Sequence, residues 1–283
     1  METPIQTQVL NKTEYSEQKK LEKIQSLAKT VLHYDQWPRV RSGYRNNLAD
    51  QMILKFKALG YSFEDDEEAF KRIIETPIER LSLEERDFRL AYQICRNQDD
   101  EVDKMEMLSI KLNKKIIKLN NGKFPNNLEH GAEIVKSCWA VFQHSDKDLD
   151  FMKQGLSLIV EARQESFKNI SSVFLMYLTD RYCFRKPGYQ FFGTQNNGKN
   201  TIKLPIPLDD LLQNPLKFLE LIEEQISPEN QTSPTNTEML ELWQAAKTDA
   251  DKVYEDRPRT NQDDAIDEFI EKYSTQLKKE SQG

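Results

Sequence analysis

The chain is poor in residues that staple or ligate. It has three cysteines, Cys95, Cys138 and Cys183, and three histidines in 283 residues. An odd, widely spaced set of cysteines argues against a disulfide framework. Without a C-x-x-C pair there is neither a zinc knuckle nor a thiol-exchange motif, so three reduced, partly buried thiols are expected. No run approaches the roughly 18 apolar residues of a membrane span. The N-terminus, METPIQTQVLNKTEYSEQKK, lacks the apolar core of a secretion signal. A cytoplasmic protein without a membrane partner is therefore expected, and export without a cleaved signal stays open.

Phosphate-binding and nucleophile motifs are also missing. There is no GxxxxGK[ST] loop, no GxGxxG after a strand and no G-x-S-x-G elbow. A broad positive field is absent as well: 40 Lys and Arg stand against 47 Asp and Glu, a formal net charge of -7. Residues 226–283 hold 13 of the acidic and 7 of the basic side chains, and the first 225 residues are close to neutral. No nucleic-acid partner is expected.

What the chain does have is charge and helical periodicity. Charged residues make up 31%, apolar residues 37%, and mean hydropathy is -0.75. Much of the length is then solvated surface around one large domain, or one domain with extensions. Residues 1–15 read as a loose arm. Leu21, Ile24, Leu27, Ala28, Val31 and Leu32 share one helical face, and Pro38 interrupts after them. A second helix is expected over Asn46–Ala58, ended by Gly60, and a short one around Phe70, Ile73 and Ile74. A long pattern runs from Ser82 to Leu119, opened by capping-box spacing at Ser82 and Glu85, with a break expected at Asn97–Glu101.

NNGKFPNN then punctuates the chain. The next helix, Glu129–Gln143, is apolar on most sides and so belongs at the centre of a bundle. Helices over Asp148–Glu161 and Phe167–Leu178 follow. YCFR and YQFFGT about a KPG turn predict two short strands, and TIKLPI adds a third, with Pro205 and Pro207 at its edge or exit. A helix is expected over Asp209–Gln225. The segment 226–238 reads as a linker, and 239–283 as an acidic appendage of two helices that either packs in cis or binds a partner. The fold expected is mainly α (α+β): a helical core domain over 16–225 with a small antiparallel hairpin or three-stranded sheet at one edge.

Polar residues cluster at the expected junctions. His144 ends the apolar helix, where the helix field favours an imidazolium. Asp180 and Arg181 sit where helix is expected to give way to strand, and Gln190 and Gln195 follow. His144 as acid or base, Asp180 as its partner and Arg181 or Arg39 as an anion clamp would suit a hydrolase or transferase on a small polar or anionic substrate. Asp35, Gln36, Arg39, Gln143, Gln190 and Gln195 would position that substrate. The same residues also suit a structural network that fixes helices to a hairpin, with recognition of a protein partner carried by the extra helices. No cofactor is expected. A divalent metal on His144 with Asp35 or Asp180 is the minor alternative. Asp146, Asp148 and Asp150 alternate like a calcium loop, but Phe151 and Ser157 stand where that loop needs Gly and Glu.

Two stretches, GKFPNNLEHGAEIVKSCWAVFQHSDKD and YLTDRYCFRKPGYQFFGTQ, carry a family pattern. Its elements fall on Asp35, Gln36 and Arg39; on Gly122, Pro125 and Gly131; on Gln143 and His144; on Asp180 and Arg181; on Gln190; and on Gly193, Thr194 and Gln195. The chain resembles the bacterial DUF6624 family, mainly over 110–225. The resemblance implies that these polar positions form one site, and it brings no activity with it. The stretch 45–105 is longer than the family's spacing, and the segment after 226 is additional.

Overall fold

The computed structural model describes residues 16–31, 53–62, 66–224 and 226–282, with backbone only at 67, 90 and 94–105. The chain divides into two compact units. One comprises Met1–Leu32 with Ile110–Gly283, and the other His33–Ser109.

In the first unit, residues 16–31 form α1, whose Ile24, Ala28 and Val31 are buried at the expected helical spacing. The helix α4, Leu83–Leu119, is continuous through 97–101, where a break was expected. Residues 110–119 of it belong to this unit. The bundle continues with α5 (Ala132–His144), α6 (Leu149–Glu165) and α7 (Ser172–Arg185). The α5 helix is central, as its composition requires: Ile134, Val135, Ser137, Cys138 and all of Trp139–Gln143 are buried. Gly155 lets α6 approach it. A Cβ there would lie 2.2 Å from the ring of Phe142.

Two short helices, α8 (Leu208–Gln213) and α9 (Lys217–Glu223), stand where one was expected. Pro215 between them cannot continue a helical hydrogen-bond ladder. The long α10 (Asn236–Val253) and α11 (Asn261–Glu280) pack on each other and on α7. Their apolar faces enter the same core. Trp243 stacks on Phe269 with ring centroids 4.1 Å apart, and Phe269 meets Tyr177 of α7 edge-on. Both helices open on reciprocal capping boxes, Thr235 with Glu238 and Thr260 with Asp263.

The second unit has its own small core of Phe56, Ile73, Leu81 and Phe88. Phe56 comes from α2 (described over 53–58), Ile73 from α3 (Glu67–Glu75) and Phe88 from the start of α4, with Leu81 in the turn just before it. The capping box of Ser82 and Glu85 is present in both directions, and α2 gives way to a turn at Gly60, as expected.

The expected hairpin or three-stranded sheet is not formed. Among the described residues there is no strand, and β pairing is limited to an isolated parallel bridge between Gln190 and Thr201. YCFR continues α7 instead of starting a strand. Beyond it, Gly188, Gly193, Asn196, Asn197, Gly198 and Asn200 all have positive φ. So many left-handed residues in 13 positions cannot hold the extended backbone a ladder needs. The backbone N–H groups of this loop turn to side chains for their partners.

Candidate functional site

Asp180, in the last turns of α7, is fully buried. Its Oδ1 accepts from the N–H of Phe191 (2.7 Å) and of Phe192 (3.0 Å). Its Oδ2 accepts from the N–H (2.9 Å) and the hydroxyl (2.8 Å) of Thr194. One carboxylate thereby does for the 191–194 loop what a neighbouring strand would have done. Burial pushes its pKa up to about 6, while the loop's N–H and O–H donors pull the other way.

Gln190, also fully buried, closes the loop from within. Its Nε2 donates to the carbonyls of Gln195 and Lys199, each at 2.7 Å, and its Oε1 accepts from the Gln195 N–H at 2.7 Å. The main chain of Gln190 holds the next segment, donating to Asn200 and accepting from Ile202. Gly193 sits at φ +73°, where a Cβ would come within 3.1 Å of the Tyr273 hydroxyl of α11. The glycine is needed for both its conformation and its space.

Arg181 forms the outer layer. Its Nε and Nη2 grip both oxygens of Asp146 at 2.7 and 2.6 Å, and Nη1 donates to Gln195 Oε1 at 2.9 Å. Arg185 also reaches Asp146. The fork is bidentate, the strong form of Arg–carboxylate pairing, and it ties α7 to the 145–148 turn after α5. Asp146, read from sequence only as part of a failed calcium loop, is thus the anchor of Arg181.

Four of the expected site residues are therefore joined: Asp180, Arg181, Gln190 and Gln195. Of the other five, two lie among the described residues. Gln143 is buried in α5, and its Oε1 has no hydrogen-bond partner among the described residues. His144 is half-buried at the end of α5. The Asp180 oxygens accept from the N–H and O–H donors of the 191–194 loop. Asp35, Gln36 and Arg39 lie outside the described residues. Among the described residues no group of three His, Cys, Asp or Glu side chains could hold a metal ion. A carboxylate ringed by donors, as Asp180 is, has no lone pair left to offer a cation.

A second buried polar group escaped the sequence reading. Arg163 of α6 forms an ion pair with Asp249 of α10 and donates to the carbonyl of Ile170. Asp249 also accepts from the N–H and hydroxyl of Ser172, at the start of α7. An acid at a helix N-terminus is favoured by the unpaired N–H groups there. No sequence signal joins residues 163, 172 and 249, because their spacings belong to three different helices.

The loop that Asp180 holds borders an apolar cavity of about 480 Å³. Phe191, Leu204, Ile206, Met239 and Leu242 line it. A second cavity, of about 690 Å³, continues along α10 and shares Asp209 and Ala245 with the first. No helix among the described residues is long and apolar enough to cross a membrane. Neither a family model, nor a curated protein, nor a solved structure matches the chain.

Proposed function

We propose that this protein is a non-catalytic protein-binding module, in which the Asp180 network shapes a docking surface. One observation carries the reading: the Asp180 carboxylate is fully buried and its oxygens are taken by the loop's own donors. An acid–base partner needs an oxygen free to reach a substrate proton or a histidine, and the loop donors on both Asp180 oxygens favour a structural role instead. Arg181 is likewise spent on Asp146 and Gln195, which leaves a poor clamp for an anionic substrate.

The resemblance to the DUF6624 family fits this reading. Its Asp-Arg, Gln and Gly-Thr-Gln elements are bonded to one another here, so what they have in common is the locked loop. That loop places Phe191 and, through the Gln190 bridge, the Lys203–Pro207 segment beside α10.

The test compares wild type with His144→Ala, Arg181→Ala and Asp180→Ala. Each is melted and assayed on chromogenic ester, phosphate and glycoside substrates. A binding module gives no turnover that depends on these residues, and a lower melting temperature for Asp180→Ala. Turnover lost in His144→Ala with an unchanged melting temperature would sink the reading.

A further inference from the structure

The two cavities beside α10 form one groove. Glu238, Leu242, Ala245, Asp249 and Lys252 line it at alternating spacings of four and three residues, which is one face of a helix. From Glu238 to Lys252 this face runs about 21 Å, at 1.5 Å per residue. Opposite stand Lys203–Pro207 and α8. The upper floor is apolar, with Phe191 and Met239 buried beneath half-buried Leu204, Ile206 and Leu242.

The charge on the rim is uneven. Lys203 is paired with Glu238 at 2.5 Å, and Arg163 with Asp249. Glu241, at the apolar end, and Asp209, where the two cavities meet, have no ion pair among the described residues, and both are exposed. Lys252 lines the far end. The matching occupant has basic side chains flanking an apolar stripe near Glu241, and a neutral or acidic end near Lys252.

The backbone chemistry selects the form of that occupant. An added strand would need a row of free N–H groups along Lys203–Pro207. Pro205 and Pro207 have none, and the N–H of Lys203 is already given to Thr232. A partner helix brings its own backbone bonds and asks only for an apolar channel. We infer that this groove docks a basic amphipathic helix of a partner protein, about four turns long, an inference that rests on the binding-module reading above and names its surface.

The experiment uses the full chain and two fluorescein-labelled 18-residue helical peptides. One carries a leucine stripe flanked by lysines, and the other the same stripe flanked by glutamates. Fluorescence polarisation is read for wild type, for Ala245→Arg, for the double reversal Asp209→Lys with Glu241→Lys, and for a control reversal Glu268→Lys with Glu271→Lys on α11. Wild type should bind the lysine peptide saturably and prefer it. Ala245→Arg, which fills the channel at a half-buried position, should weaken binding by roughly tenfold or more. The groove reversal should shift preference to the glutamate peptide, and the control reversal should not. Absence of saturable binding, or equal effects of groove and control reversals, overturns the proposal. Either result leaves the structural role of the Asp180 network to its own melting test, so the two readings fail separately.

Discussion

Replacing Asp180 by alanine separates a structural carboxylate from a catalytic one. The substitution strands three backbone N–H groups, those of Phe191, Phe192 and Thr194, in a site that the loop keeps from water. At about 2 kcal/mol for each stranded donor, the loss is about 6 kcal/mol. Against it stands the cost of keeping that carboxylate ionised in the folded state. A pKa pushed up from 3.8 to about 6 corresponds to about 3 kcal/mol at neutral pH. The net expectation is a loss of about 3 kcal/mol, or about 6–12 °C in melting temperature for a domain of this size. Trp139 and Trp243, both buried in the same unit, make tryptophan fluorescence a suitable readout for thermal and urea melts. Asp180→Asn keeps one oxygen for Phe191 and Phe192 but turns an NH2 toward the Thr194 N–H, so its loss should be smaller, about 1–2 kcal/mol. A melting temperature for Asp180→Ala within 2 °C of wild type would show instead that the loop is satisfied without its acceptor.

Three further outcomes follow from the same geometry. Asp180 should titrate near pH 6 in a carboxyl carbon NMR experiment. Between about pH 4 and 6 the folded state then holds a proton that the unfolded state has released, so this group lowers stability as pH rises through that window. A midpoint below 4 would mean that the N–H donors outweigh burial. Asp249→Ala should cost about 3–5 kcal/mol in urea unfolding, because it leaves Arg163, only 3% exposed, charged and unpaired; a loss under about 1 kcal/mol would count against that pair. Deleting residues 227–283 should abolish cooperative unfolding of the first unit and raise dye binding, since Trp243, Ile266 and Tyr273 leave its core. A truncated chain with a native melting temperature would show instead that α10 and α11 are dispensable to the fold.

Much of the architecture was legible because it depends on local periodicity. The apolar faces of α1 and α5, the capping box at Ser82 and the turn at Gly60 are each decided by residues within a few positions of one another. The capping boxes at Thr235 and Thr260 were just as local, and the T-x-x-E and T-x-x-D spacings could have located both helix starts. The strands were misjudged for a physical reason. β-branched and aromatic residues in YCFR and YQFFGT satisfy strand propensity, but propensity says nothing of where the N–H groups find acceptors. Here they find Asp180, eleven to fourteen residues away, and the glycines and asparagines of 188–200 take positive φ and exclude a ladder.

The helical bundle and its central helix are written locally in the chain, because helix periodicity and chain punctuation are short-range properties. The tertiary structure alone decided what the polar residues after residue 143 do. Whether Asp180 faces a histidine, a substrate or a backbone loop depends on which groups burial brings to its two oxygens. The same holds for Arg163 and Asp249, 86 residues apart in sequence yet paired, and for the groove along α10, whose walls meet only when α8 and the proline-bearing segment are packed beside it.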